Sequence, residues 1–133
     1  MSEIKNILSK YNSIAMIGVS KDLKKTSTVV MNYMQDNGFK VYPVNPSAKG
    51  EKILGEEVYA KITDINKNVD IVDVFRPSEE VYGIAEDAVK IGAKVLWLQL
   101  DISNENAKKL VEENNMEYIE NKCTKIEYQK YFL

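Results

Sequence analysis

The residues best suited to chemistry in this sequence stand directly after its short apolar runs. Ile14-Ala15-Met16-Ile17 is followed by Gly18-Val19-Ser20-Lys21-Asp22-Leu23-Lys24-Lys25-Thr26-Ser27-Thr28. Gly18 permits close backbone approach or an unusual φ. The polar loop leads into a helix whose first N–H groups have no partner within the helix. Such a terminus favours an anion, by about 0.3–1 kcal/mol for an exposed charge. Thr26, Ser27 and Thr28 can add hydroxyl donors, and Lys24 and Lys25 can add charge. The loop is not G-x-G-x-x-G, because positions 20 and 23 are Ser and Leu, and no G-K-[ST] closes it as a Walker A loop. The same residues would also make an ordinary strand-to-helix turn with a solvated lysine cluster.

The next runs end in equally informative residues. After Phe39–Val44 comes Asn45-Pro46, with Lys49 close behind. A dinucleotide-binding unit usually carries Asp or Glu here for the ribose diol. Asn can still bond a sugar hydroxyl, and its neutrality beside Lys49 tolerates a phosphate on the ribose. Asn-Pro is also a common turn initiator. After Val69–Val74 come Phe75-Arg76-Pro77. Arg76 is the single Arg among 18 basic residues. Its planar fork suits bidentate phosphate recognition or stacking on a base, with Phe75 as an apolar wall; capping of a neighbouring carbonyl is the plainer alternative. After Lys94–Leu98 comes Gln99, which would face a cleft, while Trp97 reads as core. Asn121-Lys122-Cys123 follows the last run, and Cys123 reads as a small buried hydrophobe or, less simply, a reactive thiol.

Composition removes whole classes of chemistry. The 133 residues include no His and one Cys. Ser-His-Asp and Cys-His nucleophile systems are therefore absent, as is a zinc site of nitrogen and sulfur ligands. A net charge of −2 argues against a dedicated nucleic-acid binder. No apolar run approaches the ~20 residues of a membrane span. Met1-Ser2-Glu3-Ile4-Lys5-Asn6 lacks the basic start and apolar core of a signal peptide, so the chain reads as soluble and cytoplasmic.

The elements that must position these residues alternate along the chain. Five β-branched or aromatic runs, near 14–17, 39–44, 69–74, 94–98 and 116–119, have strand length. Between them the i, i+3, i+4, i+7 spacing predicts helices. One carries Val29, Val30, Tyr33 and Met34 and closes at Asn37-Gly38. Another spans Glu79 to Ile91 with Ser78 as N-cap, and a third holds Ala107, Leu110 and Val111 behind Ser103. Ile4, Ile7, Leu8 and Tyr11 predict an N-terminal helix. Thr124-Lys125-Ile126-Glu127 has capping-box spacing and opens a last one. The stretch 45–68 is less regular, with one short helix near Ile62–Ile65. Strand-helix alternation predicts a single α/β domain over residues 1–133. It is a three-layer, doubly wound parallel sheet of Rossmann-like type with five main strands. The expected order is 3-2-1-4-5, with the flavodoxin-like 2-1-3-4-5 as competitor. In either, a ligand sits beyond the carboxyl ends of the strands.

Taken together, these segments resemble the CoA-binding domain family, small Rossmann-like proteins similar to the N-terminal domain of the succinyl-CoA synthetase alpha subunit. The resemblance runs from about Ile4 to Glu127. It rests on Ile17-Gly18-Val19-Ser20, Val41-Tyr42-Pro43-Val44-Asn45-Pro46, Gly50-Glu51-Lys52-Ile53-Leu54-Gly55 with Val58-Tyr59, Val69 to Arg76, Ile91 to Gln99, and Cys123 with Lys125-Ile126-Glu127. It implies binding of coenzyme A, or an acyl-CoA, through the nucleotide end. Gly18, Val19 and Ser20 would approach the pyrophosphate, helped by Lys25 and the following helix terminus with Thr26 and Ser27. Asn45, Pro46 and Lys49 would flank the ribose and its 3′-phosphate, and Phe75 and Arg76 would close the adenine side. Relatives commonly place Gly soon after the Gln, where this chain has Leu100-Asp101-Ile102-Ser103, and Thr124 stands where Pro is common.

The expected function is a stand-alone CoA-binding protein without catalysis of its own. Two alternatives remain open: a small NAD(P)-dependent oxidoreductase or accessory subunit of an acyl-CoA ligase, and a CoA- or redox-sensing module using Cys123. The expected partner is a small nucleotide ligand rather than nucleic acid or membrane, with a homodimer or a partner enzyme subunit also open.

Overall fold

The computed structural model describes residues 3–133. In chain order the elements are α1 (Glu3–Lys10), β1 (Ser13–Ile17), α2 (Thr26–Asp36), β2 (Lys40–Val44), a small hairpin of β3 (Lys52–Ile53) and β4 (Glu56–Glu57), β5 (Ile71–Val74), α3 (Val81–Lys90), β6 (Val95–Leu98), α4 (Glu105–Glu113), β7 (Glu117–Ile119) and α5 (Thr124–Phe132). Single 3₁₀ turns lie at Pro46–Ala48, Ile62–Asp64 and Ser78–Glu80. The five runs expected as main strands are β1, β2, β5, β6 and β7, and they form one parallel sheet with helices on both faces. Among the described residues no helix is long and apolar enough to cross a membrane.

The sheet order is β2-β1-β5-β6-β7. Counting main strands alone this is 2-1-3-4-5, so the expected 3-2-1-4-5 is corrected to its competitor. Crossover handedness supplies the reason. Helix α2 crosses over one face of the sheet. The connection from β2 to β5 crosses over the other, where Ile62 and Ile65 pack with α3 and α4. Right-handed crossovers on opposite faces travel in opposite directions along a sheet. β5 therefore passes β1 and docks on its far side. Pro43, inside β2, is the signal that could have decided this, because Pro belongs on edge strands. Pro43 O accepts from Tyr59 N on the outer side (3.0 Å), so the missing N–H also faces outward and the ladder to β1 is intact.

Strand alternation divides the core in two. Ile14, Met16, Ile71, Val95 and Trp97 pack under α1 and α2. Ala15, Ile17, Val72, Val74, Leu96 and Leu98 pack under α3 and α4. Trp97 is fully buried, as its sequence context suggested, and its ring N–H donates to Lys122 O at 2.8 Å. Burying each large apolar side chain contributes roughly 1.5–3 kcal/mol, so these layers hold the strand ends rigid.

Three caps differ from expectation. Ser78 opens a 3₁₀ turn instead of capping α3, and its hydroxyl accepts from Ser103 N at 3.1 Å. The cap of α4 is Asn104, one residue later than Ser103, accepting from Ala107 N at 3.0 Å. Thr124 is the first residue of α5, and its hydroxyl turns away from the helix toward Asp73. For Ser78 and Thr124 a tertiary partner competes for the hydroxyl that local spacing had assigned to the helix. The hairpin was not anticipated; its turn, Leu54-Gly55, has φ of 50° and 83°, and Leu is an unusual residue there.

Candidate functional site

The switch point of the sheet lies between β1 and β5, where connections leave in opposite directions, and ligands of open α/β sheets bind at such points. Here the loops after the two strands touch. Gly18 has φ +92°, and a Cβ on it would stand 2.5 Å from Phe75 O and 3.1 Å from Arg76 Cδ. Only glycine meets both demands. Gly18 N also donates to Val44 O at 2.8 Å, which ties the loop to the end of β2.

Around this contact lies a cleft of about 300 Å³. Its walls come from Ile17 and Gly18 after β1, Val44 to Ser47 after β2, Ala60 to Ile62, and Arg76, Glu80, Ile84 and Asp87. Asn45 is fixed from both ends: its Nδ2 donates to Val19 O (2.8 Å) and its Oδ1 accepts from Ser47 N (3.0 Å). Arg76 is held bidentately by Glu80, Nε to Oε1 at 3.0 Å and an NH2 to Oε2 at 2.8 Å. That bond holds Glu80 below the ordinary carboxylate range and stabilises the guanidinium charge. With Lys61, Glu80 and Asp87 on the walls, the cleft presents donors and acceptors together, as a polar ligand carrying hydroxyl and phosphate groups requires.

The loop beside it is ordered by its own side chains. Ser20 N donates to Ser27 Oγ (3.2 Å), Thr28 Oγ1 to Ser20 O (2.7 Å), and Lys24 N to Asp22 Oδ1 (2.9 Å). Lys25 stands at the N-cap of α2 in extended conformation and supplies no capping side chain, which leaves the first turn open to an anion.

A second cleft, about 310 Å³, opens on the other face of the sheet. Thr26, Phe75, Arg76, Pro77, Gln99, Leu100, Ile102 and Cys123 line it. Arg76 is thus a ridge shared by both. Beneath the second cleft lies a fully buried carboxyl, Asp73, on β5. Thr124 Oγ1 donates to Asp73 Oδ2 at 3.0 Å, and Gln99 Nε2 donates to Asp73 Oδ1 and to Thr124 Oγ1 (3.3 Å). Burial pushes Asp73 up from its ordinary 3.8 to about 7, against the opposing pull of the Gln99 and Thr124 hydrogen bonds.

The structure sorts the residues expected from sequence. Gly18, Asn45, Pro46 and Arg76 line the first cleft. Phe75 and Thr26 line the second. Val19 is fully buried and reaches the site through its carbonyl, and Ser20 and Ser27 bond to each other. Lys25 is exposed at the mouth of α2. Lys49 is exposed and lines neither cleft; Ser47 and Lys61 occupy the wall assigned to it. Cys123 is buried at the second cleft. Glu80, in the 3₁₀ turn, and Asp87, on α3, also line the first cleft; in the sequence they read as ordinary solvated charge. Asp73 carries one signal in the sequence, its place inside an apolar strand run, Val72-Asp73-Val74.

Comparison with known proteins agrees with this geometry. Residues 12–129 match the family model of the CoA binding domain. An uncharacterized Bacillus subtilis protein, YneT, is 36% identical over 125 residues, covering 94% of this chain and 91% of that one. A solved structure of a hypothetical protein from Pyrococcus horikoshii superposes with a TM-score of 0.94 at 32% identity, over 98% of this chain and 91% of that one. The ADP-forming acetate–CoA ligase of Methanocaldococcus jannaschii is 33% identical over 87 residues; these are 65% of this chain and 12% of the ligase. A Gly18 turn pressed against the exit of β5, a parallel sheet whose order reverses there, and a match over nearly the whole chain place this protein in the CoA-binding domain family.

Proposed function

We propose that this protein binds coenzyme A, or an acyl-CoA, by its nucleotide half, with no catalysis of its own. The observation that carries the reading is the convergence of Gly18, Asn45-Pro46 and Arg76 on one cleft at the switch point of a CoA-binding-family sheet. The adenosine fits the first cleft, where Asn45, Glu80 and Asp87 offer partners to ribose hydroxyls and the adenine amino group. The pyrophosphate fits the Gly18–Ser20 loop and the uncapped start of α2, with Lys25 close by. Arg76, released in part from Glu80, and Lys61 supply cations for phosphate. Isothermal calorimetry with CoA, dephospho-CoA, NAD and NADP tests this. The expected result is binding of CoA, weaker binding of dephospho-CoA and the weakest binding of the nicotinamide nucleotides. No heat with CoA alongside a clear signal with NAD would overturn it.

A second reading, an accessory module serving an acyl-CoA ligase, is favoured by the match to the Methanocaldococcus ligase, of which the matched region is 12%. Acyl-CoA formation only on mixing with a partner subunit would support it.

A further inference from the structure

Among the described residues Asp73 is the one carboxyl fully out of water, and the nucleotide reading makes no use of it. Its partners are neutral donors: Gln99 Nε2 to Oδ1, and Thr124 Oγ1 to Oδ2 at 3.0 Å. Among the described residues no cation joins them. Met16 and Trp97 are its register partners on β1 and β6, and the buried residues of α2 are Ser27, Thr28, Val30, Met31 and Met34. Cys123 and Glu127 are the titratable residues buried at α5. Lys125 lies over the Tyr33 ring, and Tyr33 meets Tyr128 edge-on. Arg76 is bound by Glu80, and Lys25 is exposed. A carboxylate held in this way loses its hydration and gains no counter-charge, so the closed core favours the protonated acid. The rise of Asp73 to about 7, caused first by burial, agrees with that geometry.

The same carboxyl seats the start of α5. Cys123 stands at the N-cap, and no side chain caps the helix there. Thr124, the first helical residue, is fully buried and turns its hydroxyl to Asp73. The chain turns into this helix at Asn121, with φ 55°. Lys122 is then fixed to β6, its N–H to Leu98 O at 3.2 Å and its carbonyl to Trp97 Nε1 at 2.8 Å. Beyond Lys122, the side-chain bonds that seat Thr124 run to Asp73 and Gln99. Ionising Asp73 in the closed core leaves a charge that hydration can relieve. Water reaches it most directly if Thr124 and Cys123 lift from the second cleft, whose wall Cys123 already forms.

We propose that Asp73, Gln99 and Thr124 form a proton-operated latch on the start of α5. The latch is closed while Asp73 holds its proton and loosens when Asp73 ionises, uncovering Cys123. It acts whichever ligand fills the clefts, so it stands apart from the nucleotide reading.

Cys123 is the only thiol in the chain, so its labelling by 4,4′-dithiodipyridine reads the latch. The quantity is the labelling rate of the folded protein divided by the rate in strong urea at the same pH, which removes the ionisation of the thiol itself. An opening that releases one proton becomes tenfold more frequent per pH unit. The ratio should therefore rise about tenfold per unit from about pH 5 to 7 and level off above 7, where the closed state is ionised too. Asp73→Asn should give a flat ratio over this range. Thr124→Val should raise the ratio, and Thr124→Ser should return it toward wild type. Up to about 1 M urea the wild-type ratio should stay nearly constant, because a local opening exposes little surface. A flat wild-type ratio, an equal rise in Asp73→Asn, no change in Thr124→Val, or labelling that follows urea with the full slope of global unfolding overturns the latch. The wild-type measurements decide the matter even if a variant does not fold.

Discussion

The two clefts share Arg76 and little else. The first is built at the strand ends from loop backbone and charged side chains: Gly18 against Phe75, Asn45 bonded at both ends, Arg76 against Glu80, with Lys61 and Asp87 facing in. The second is mainly apolar, and Gln99 on its wall bonds to a cluster buried in the sheet. The first shows its chemistry in exposed residues whose partners can exchange for a ligand. The second hides its chemistry in Asp73, where water does not screen it. Polar groups at a surface thus tune affinity, while polar groups in a core tune both stability and orientation.

This contrast is sharpest in its pH dependence. Between pH 4 and 7 the unfolded chain has already released the Asp73 proton, and the folded chain, with the group raised to about 7, has kept it. Raising the pH through that window therefore favours unfolding, and above 7 both states are ionised and the contribution is flat. Urea unfolding across this range should show wild type losing up to about 4 kcal/mol relative to Asp73→Asn, as a shift near three units implies. Parallel pH profiles for the two proteins would mean that the cluster is less buried than described, and the contrast between the clefts would fail.

Gly18→Ala should produce the next largest effect, because it forces a side chain to φ +92° and into Phe75 O. A loss of about 2–3 kcal/mol in chemical denaturation, with CoA affinity falling in step, is expected from left-handed strain plus a backbone clash. Retained stability with full binding would separate the loop contact from the site. In the first cleft alone, Arg76→Ala should weaken CoA about tenfold by calorimetry, the cost of a lost charge-assisted bond. Glu80→Gln should do the reverse, tightening CoA about threefold at low ionic strength and less in high salt, since it frees the Arg76 fork. A salt-independent change would argue that Glu80 acts by shape. Lys49→Ala should change affinity by less than about twofold, as for a surface charge outside both clefts. Lys61→Ala should weaken CoA by more than that.

Much of this was readable from residue order. Five apolar runs separated by helical spacing specified the parallel sheet, and polar residues after each run marked the strand ends as the place of chemistry. That Gly18, Asn45, Pro46 and Arg76 would meet at the strand ends was readable, because each follows an apolar run, and the structure brings them to one cleft. The strand order was not read correctly, although Pro43 carried the clue, because choosing between orders requires knowing over which face residues 45–70 travel. Ser78, Ser103 and Thr124 were assigned to helix caps on spacing alone. Spacing describes neighbours in the chain, and their hydroxyl and backbone groups found partners 25 to 51 residues away.

What the sequence determined by itself is therefore the alternation, the faces of each element and the chemical character of the loops, since these follow from periods of 2 and 3.6 and from local backbone preference. What the tertiary structure decided is proximity. It set Phe75 O against Gly18, laid Glu80 along Arg76, and closed Asp73, Gln99 and Thr124 into one cluster from three separate elements. Those contacts depend on which strand lies beside which, and that is settled by the packing of two cores against one sheet rather than by any stretch of sequence read alone.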